Sequence, residues 1–331
     1  MKRMGFAIVV LSAAVVLSAA GRPACAQSAI DDGLPPYRPN KEVSGKLTLN
    51  GSNTLAQVAT IWASGFKQFH PDAKIDIHVK GAVASVNSVI DGEAEIGLLS
   101  RSITQQEVDA FVKKFGYPPT VLTPTYETIA VYVHEDNPVQ GLTLADLDAI
   151  YSTTLHRGAK KTAMTWGDVG VVGRWAKVPI VCHGRNDATG SQVYFQEMAL
   201  RSGTFRSDMT SHGENLDLVQ AVSDEPGAIG FAGTSYQLPG VRMIPLSLEE
   251  GRPFVSPTSP EPAQAQYPLI RPLQLVINQP ADGKLPAIEA EFLKYVFSKF
   301  GQQDVVRAGM RPVTSRPAQT ALDTVGLGTA K

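Results

Sequence analysis

The feature that most constrains the fold is a recurring unit in which a short apolar strand ends in a glycine- and hydroxyl-rich turn that opens a helix. The first unit runs from the strand 46–50 through Gly51-Ser52-Asn53-Thr54 into apolar positions at helical spacing, from Leu55 to Phe69. Further turns follow at 81–85 and at Ser100-Arg101. Strands that alternate with helices favour a mostly parallel sheet covered on both faces. We therefore predict an α/β fold whose turns meet at the carboxyl ends of the strands, where such sheets bind ligands.

The chemistry of these turns suits an anion. A helix N-terminus leaves backbone N–H donors free and carries about half a positive charge. The turn Arg185-Asn186-Asp187-Ala188-Thr189-Gly190-Ser191 adds an arginine, whose planar fork of donors matches an oxyanion. Each residue also has a plainer interpretation: Ser52 and Thr54 could be ordinary helix caps, and Arg101 a surface or salt-bridge residue.

The pattern predicts two α/β lobes. We expect a flexible lead-in at 27–45, a first lobe at 46–130, a second lobe at 131–245, and a return to the first lobe at 246–331 with C-terminal helices. Thr104 and Glu107 have capping-box spacing at the head of a helix. Further predicted segments are helices at 143–151, 192–200 and 288–300, strands at 121–125, 128–134, 179–182, 228–232 and 269–278, and a proline-rich loop at 257–262.

The N-terminus predicts export. Two basic residues by position 3, an apolar run at 5–20 and the small-x-small site Ala24-Cys25-Ala26 are typical of a cleaved signal peptide spanning 1–26. An uncleaved anchor would need about 20 apolar residues. Lipid attachment at Cys25 is a third reading, disfavoured by the arginine and proline just before it. We therefore expect a periplasmic protein.

Charge and cysteine content narrow the partners. Removing Lys2, Arg3 and Arg22 leaves 27 basic against 31 acidic residues, a formal net charge of −4. This balance does not favour nucleic acid as a partner. Cys182 is the one cysteine left after cleavage, so no intrachain disulfide can form. Cys182-His183 has no further metal-type ligand at a suitable spacing, and we predict neither a metal nor a cofactor.

Six segments, in their order and spacing, resemble the phosphate-binding protein of the phosphate ABC importer family. They are GSNTL at 51–55, EIGLLSRSIT at 95–104, GRNDATGS at 184–191, GAIGFAGTSY at 227–236, YPLIRPL at 267–273 and GQQDVVRAGMRPV at 301–313. The resemblance implies the type II periplasmic binding protein fold, in which two doubly wound lobes are joined by two crossing strands around a ligand cleft. It also implies inorganic phosphate as ligand and a membrane permease as partner.

Carried over position by position, the resemblance implies a set of phosphate-binding residues: Ser52, Thr54, Leu55, Ser100, Arg101, Arg185, Thr189, Gly190 and Ser191. Asp187 would hold the Arg185 guanidinium in register, and Gly81 and Ser85 are less certain members. Two positions depart from the family pattern. Ala82 stands where a hydroxyl is expected, and Arg101 where some members have an aspartate that accepts the proton of hydrogen phosphate.

These observations favour a monomeric receptor without enzymatic activity. An exported hydrolase of phosphate esters would need an activated nucleophile or a metal cluster, and the sequence shows no G-x-S-x-G, H-E-x-x-H or compact Asp/His group. Two alternatives stay open: a receptor for another oxyanion, and an exported interaction or sensor module with a relaxed anion site, which the Ala82-Val83-Ala84 turn would suit.

Overall fold

A computed structural model describes residues 30–39, 42–187, 189–259, 266–280 and 283–328. The predicted signal peptide at 1–26, Ala188 and the second half of the loop at 257–262 lie outside these ranges. The strands are β1 (Gly45–Gly51), β2 (Ala73–His78), β3 (Ile96–Leu99), β4 (Thr120–His134), β5 (Leu142–Thr143), β6 (Val181–Arg185), β7 (Thr210–His212), β8 (Ala228–Gly233), β9 (Val241–Ile244), β10 (Leu246–Ser247), β11 (Ile270–Ile277) and β12 (Arg311–Pro312). The helices are α1 (Asn53–Lys67), α2 (Ala82–Ile90), α3 (Gln105–Phe115), α4 (Leu144–Tyr151), α5 (Gly190–Leu200), α6 (Asn215–Asp224), α7 (Ala287–Val296), α8 (Lys299–Arg307) and α9 (Ser315–Thr324).

A mixed sheet runs through the molecule in the order β2-β1-β3-β11-β4-β8-β6-β7. β1 pairs in parallel with β2 and β3, and β6 pairs in parallel with β7 and β8, as strand–helix–strand units require. β4 and β11 are antiparallel to their neighbours. The parallel strands therefore form two groups, one on each side of the β4–β11 pair.

Of the four hydrophobic clusters among the described residues, the two largest define two lobes. The first surrounds α1, α7 and α8, with Trp62, Phe66 and Phe292 fully buried. The second lies beneath α4 and α5, where the rings of Phe195 and Phe231 stack with centroids 3.8 Å apart. Because each lobe has its own core, it can move as a unit relative to the other.

β4 and β11 are the strands that connect the lobes. Along β4, Leu122 packs in the first core and Ile129 in the second. The return follows β11, since Leu269 belongs to the second core and Leu273 to the first. The prediction placed this return at residue 246, whereas the second core holds the chain until β11 begins, because apolar side chains such as Tyr267 are still buried there.

The segment predicted to be a flexible lead-in is packed where the structure describes it. Leu34, Tyr37 and Val43 are buried in the first core. The Tyr37 hydroxyl lies 2.6 Å from His70 Nε2 and donates to Glu291 Oε2 at 3.0 Å. The sequence shows no apolar periodicity here because three isolated side chains, rather than a regular face, attach the segment.

The predicted helix at 288–300 is two helices. Its apolar face continues across the break, which is why the spacing indicates one helix. α7 ends at Val296, and the Ser298 hydroxyl accepts from the backbone N–H of Gly301 to cap α8. The capping box of Thr104 and Glu107 is confirmed at the head of α3. The two strands predicted at 121–125 and 128–134 are one continuous strand, β4.

Candidate functional site

The first turn brings backbone donors to the edge of the first lobe. Gly51 has φ +149°, and a Cβ there would lie 2.2 Å from the carbonyl oxygen of Leu98, so the turn requires glycine. Ser52 precedes α1 in extended conformation and makes no side-chain cap bond. Thr54 and Leu55 are buried in the first turn of α1, where backbone N–H groups have no intrahelical acceptor. The donors of this turn are therefore left for another acceptor.

The second turn lies beside the first. The Gly81 N–H donates to the Gly51 carbonyl at 3.1 Å, and Gly81 has φ +86° at the start of α2. Val83 is exposed. The Ser85 hydroxyl lies against Gly97 in the middle of β3 and, among the described residues, has no hydrogen-bond partner. The turn can thus contribute backbone N–H groups of α2, while Ser85 faces the sheet.

The third turn meets the second lobe. Ser100 is 1% exposed, and a Cβ at Gly190 would lie 2.2 Å from its hydroxyl oxygen. Arg101 directs both terminal nitrogens at the Glu107 carboxylate, at 2.9 and 2.7 Å. These bonds raise the pKa of Arg101. The Arg101 fork is therefore engaged within its own lobe, whereas Ser100 lies directly across the cleft from the fourth turn.

The fourth turn joins the end of β6 to α5. Arg185 is 4% exposed, and its Nη2 donates to the Gly213 carbonyl at 2.5 Å. Its Nε and Nη1 are buried and have no acceptor within the described part of the chain. Burial lowers the pKa of Arg185. Thr189 caps α5 through the backbone N–H of Gln192 at 3.3 Å, and Gly190 and Ser191 are buried in the first turn of the helix.

Asp187 does not take the position expected of it. The Asp187 side chain is exposed. The described hydrogen bonds of Arg185, one from its backbone and one from its guanidinium, go to other residues. The Arg185 backbone N–H donates instead to Gln192 Oε1 at 2.9 Å. Gln192 and Gly213 thus hold Arg185 in position. Asp187 does not, since the turn leaves its side chain exposed to solvent.

A second buried arginine, which the sequence analysis missed, comes from the strands that connect the lobes. Arg271 on β11 is fully buried and donates to Glu127 on β4 through Nε at 2.8 Å and Nη2 at 2.5 Å. Its Nη2 also donates to the Ser191 hydroxyl at 2.9 Å, and the Tyr194 ring lies 5.6 Å from the guanidinium carbon. Arg271 Nη1 is buried and unpaired in the described structure. An arginine inside the apolar strand YPLIRPLQLVI was the available signal.

The electrostatics of the cleft favour a bound anion. Burial, together with the nearby charge of Arg271, lowers the pKa of Arg185, and Arg271 forms an ion pair with Glu127. Three guanidinium N–H-bearing nitrogens, two on Arg185 and one on Arg271, lack acceptors in the described residues. A buried charge without a partner is costly. An oxyanion placed among these nitrogens and the helix N-termini would satisfy them together.

Cys182 and His183 lie next to this site on β6. Cys182 is buried, and burial raises its pKa to about 12. His183 Nδ1 lies 3.0 Å from His212 Nε2, and burial lowers the pKa of His183 to about 4. In the ranges that the structure covers, no group of three or more His, Cys, Asp or Glu side chains could hold a metal ion. The same ranges contain no helix long and apolar enough to cross a membrane.

The two lobes, the crossing strands and the donor-rich cleft define a substrate-binding protein, and a PBP superfamily domain matches residues 38–299. The chain is 38% identical over 318 residues to the phosphate-binding protein PstS of Pseudomonas aeruginosa, covering 96% of this chain and 98% of that protein. It belongs to the family of the phosphate-binding protein PstS. The predicted family and the predicted two-lobed α/β fold are both confirmed.

Solved structures agree on the fold. A chain from Clostridium perfringens, provisionally described as a phosphate ABC transporter substrate-binding protein with bound phosphate, aligns with a TM-score of 0.63 at 25% identity, covering 82% of this chain and all of that one. An ABC-type phosphate transport receptor from Vibrio cholerae aligns with a TM-score of 0.63 at 20% identity, over 81% of this chain and all of that one.

Proposed function

We propose that this protein captures inorganic phosphate in the cleft between its lobes and delivers it to the membrane permease of an ABC importer. The names of its relatives support this function: PstS of Pseudomonas aeruginosa is a phosphate-binding protein, and the Clostridium perfringens structure holds phosphate. Because members of this family serve transport, we also infer that this protein binds its ligand without catalytic turnover. The ligand would leave chemically unchanged.

The observation that carries the proposal is the Arg185 guanidinium. It is 4% exposed, and two of its nitrogens have no acceptor among the described residues. Arg271, whose Nη2 reaches Ser191 at the start of α5, adds a third such nitrogen. Bidentate arginine contacts are the strong form of oxyanion recognition, and they gain strength where water is excluded. A tetrahedral oxyanion offers enough acceptors for all three of these nitrogens.

The remaining contacts come from the turns. We assign backbone N–H donors to Thr54, Leu55, Gly190 and the start of α2 after Gly81, and hydroxyl donors to Ser52, Ser100, Thr189 and Ser191. Arg271 joins this set, because its guanidinium orients the Ser191 oxygen and leaves the hydroxyl proton free to donate. Arg101 would act mainly through its charge while Glu107 holds its fork, and Ser85 and Asp187 have weaker support.

Contacts between the lobes describe how capture would work. Asn53 Nδ2 donates to Glu214 Oε2 at 3.2 Å, and Gln57 Nε2 donates to the Tyr236 hydroxyl at 2.5 Å. Both pairs join α1 of the first lobe to the second lobe. They are exposed, so each contributes little on its own. Closure would therefore depend on the anion, which bridges turns from both lobes, and release would follow when the lobes part.

The location and partners follow from the same proposal. Residues 1–26 would direct export to the periplasm and be removed, and the mature protein would act there as a monomer. Its formal net charge of −4 after cleavage gives no reason to expect nucleic acid binding. The permease is the macromolecular partner that transport requires.

Calorimetric titration of the exported protein tests the function directly. Ligand carried over from the cell is first removed by partial unfolding and dialysis, and phosphate and sulfate are then titrated separately. We expect saturable one-to-one phosphate binding. Tighter binding of sulfate would assign the cleft to another oxyanion, and the absence of heat with every anion would favour an interaction module over a receptor.

A further inference from the structure

Two histidines of the second lobe form a hydrogen-bonded pair that the proposed function does not use. His183 Nδ1 lies 3.0 Å from His212 Nε2, so one ring donates to the other. His183 is 6% exposed, and its Nε2 has no hydrogen-bond partner among the described residues. Two neutral rings joined in this way can accept one proton, whereas a second proton would bring two like charges together. We call these two side chains the histidine pair.

The histidine pair lies beside Arg185. On β6, His183 and Arg185 are two positions apart and therefore share a face of the sheet. On β7, His212 stands opposite Arg185 in the parallel register. Gly213, the next residue, supplies the carbonyl to which Arg185 Nη2 donates at 2.5 Å. The pair thus borders the guanidinium on which the proposed anion site depends.

The charges that act on the histidine pair come from β6 and α6. Burial is the main cause of a lowered pKa at His212; Asp217 on α6 opposes this effect, and Arg185 adds to it. Glu214, at the N-cap of α6, acts on Arg185. β8, which also pairs with β6, has the sequence AIGFAG and no charged side chain, and Glu197 on α5 is exposed. Arg185 is therefore a cation that opposes a proton on the pair.

A bound oxyanion would remove this opposition. It would offset the charge of Arg185, and a proton on the neighbouring rings would then cost less free energy. We propose that the histidine pair takes up a proton when the anion binds in the cleft, so that binding strengthens as the pair becomes protonated. The second effect follows from the first, because a proton that binding favours must in turn favour binding. This inference rests on the proposed function, since it concerns regulation of the same cleft.

The competing role for the histidine pair is purely structural. In that case the pair would only fasten β7 to β6 and hold the Gly213 carbonyl against Arg185. Substitution of either ring could then weaken binding, but the proton content of the pair would not depend on the anion. The observable that separates the two roles is therefore the number of protons on the pair with and without the anion.

Histidine NMR on the unaltered exported protein provides the first test. The ring signals are assigned on isotopically labelled protein and followed against pH, with and without saturating phosphate. We expect phosphate to raise the titration midpoint of the pair by about one pH unit or more, the shift that a nearby opposite charge causes. His70, which lies beside Tyr37 in the first lobe, should titrate alike in both states.

The outcomes of this test are distinct. Equal midpoints for the pair in the free and phosphate-bound protein would overturn the inference, as would a pair that does not titrate in either state. Absence of phosphate binding would instead refute the proposed function.

Calorimetry in buffers of different ionisation enthalpy provides the second test, because it counts the protons taken up on binding. It is carried out at the pH where the two NMR curves differ most. Protons that phosphate itself gains or loses are common to all variants, so differences between variants report on the protein. His212→Gln keeps a hydrogen-bonding side chain and should take up fewer protons than the unaltered protein.

His156→Gln is the matched control, because His156 is an exposed histidine of the same lobe, where it lies 3.0 Å from the Arg201 carbonyl. Its proton uptake should equal that of the unaltered protein. Equal uptake in His212→Gln and the unaltered protein would refute the inference. If His212→Gln does not fold or does not bind phosphate, the NMR comparison on the unaltered protein decides.

Discussion

Removing the Arg185 guanidinium should weaken phosphate binding more than any other single truncation in the cleft. Two of its nitrogens are buried without acceptors in the described structure and would donate to the anion. A hydrogen bond to a charged group contributes about 1.5–3 kcal/mol. Two such bonds give about 3–6 kcal/mol, which corresponds to roughly a hundredfold to ten-thousandfold loss of affinity in Arg185→Ala.

Calorimetric titration of ligand-free protein measures this loss directly. The matched control is Cys182→Ala, a position on the same strand, β6, whose side chain packs in the second core. Its affinity should equal that of the unaltered protein. Thermal unfolding with and without phosphate provides an independent readout, because a ligand that binds only the folded state raises the melting temperature.

Two results would refute the reasoning. A loss of less than about fivefold in Arg185→Ala would mean that the unpaired nitrogens of Arg185 do not contact the anion. Equal losses in Arg185→Ala and Cys182→Ala would show that changes on β6 act through folding, and the guanidinium would then carry no special weight. A normal melting temperature for ligand-free Arg185→Ala separates the two cases.

Three further predictions concern stability. Gly51→Ala should lower the free energy of unfolding by about 2 kcal/mol or more, because the added Cβ would overlap the Leu98 carbonyl. Denaturant unfolding measures this loss, and a change below about 0.5 kcal/mol would contradict the prediction. Tyr37→Phe should cost about 1–3 kcal/mol by leaving His70 without its hydroxyl partner, and an unchanged denaturation midpoint would argue against the packed lead-in. Burial lowers the pKa of His183 to about 4, so the unfolded chain binds more protons than the folded one between that pH and about pH 6.5. The free energy of unfolding should therefore fall as the pH drops through this window, and it should fall less steeply in His183→Gln. Equal pH slopes of the unfolding free energy in the two proteins would contradict this prediction.

Local chemistry explains what the sequence could predict. The turn at Gly51, the Thr104–Glu107 capping box and the helix opening at Gly190 each depend on residues close together in the chain, and each stands where the pattern indicated. The candidate site shares this property, since most of its residues lie in turns that open helices. Turn residues reveal their role because only a few side chains suit those backbone conformations.

Long-range pairing explains what the sequence could not predict. Arg271 and Glu127 are 144 residues apart, and the sequence around either residue does not indicate that the two form a pair. Whether an arginine in an apolar strand is buried depends on the register of that strand with its neighbour, which is set by tertiary packing. The attachment of Tyr37 to His70 and Glu291 has the same origin. The role expected of Asp187 depends on the side-chain direction within one turn, which the sequence does not indicate.

The pairing of Glu127 with Arg271 places ligand chemistry on the same two strands that join the lobes. A one-residue insertion or deletion in either strand would turn its side chains to the opposite face and change the connection between the lobes at the same moment. New anion specificity is therefore easier to engineer at the helix-opening turns, where a substitution alters one donor and leaves the hinge intact.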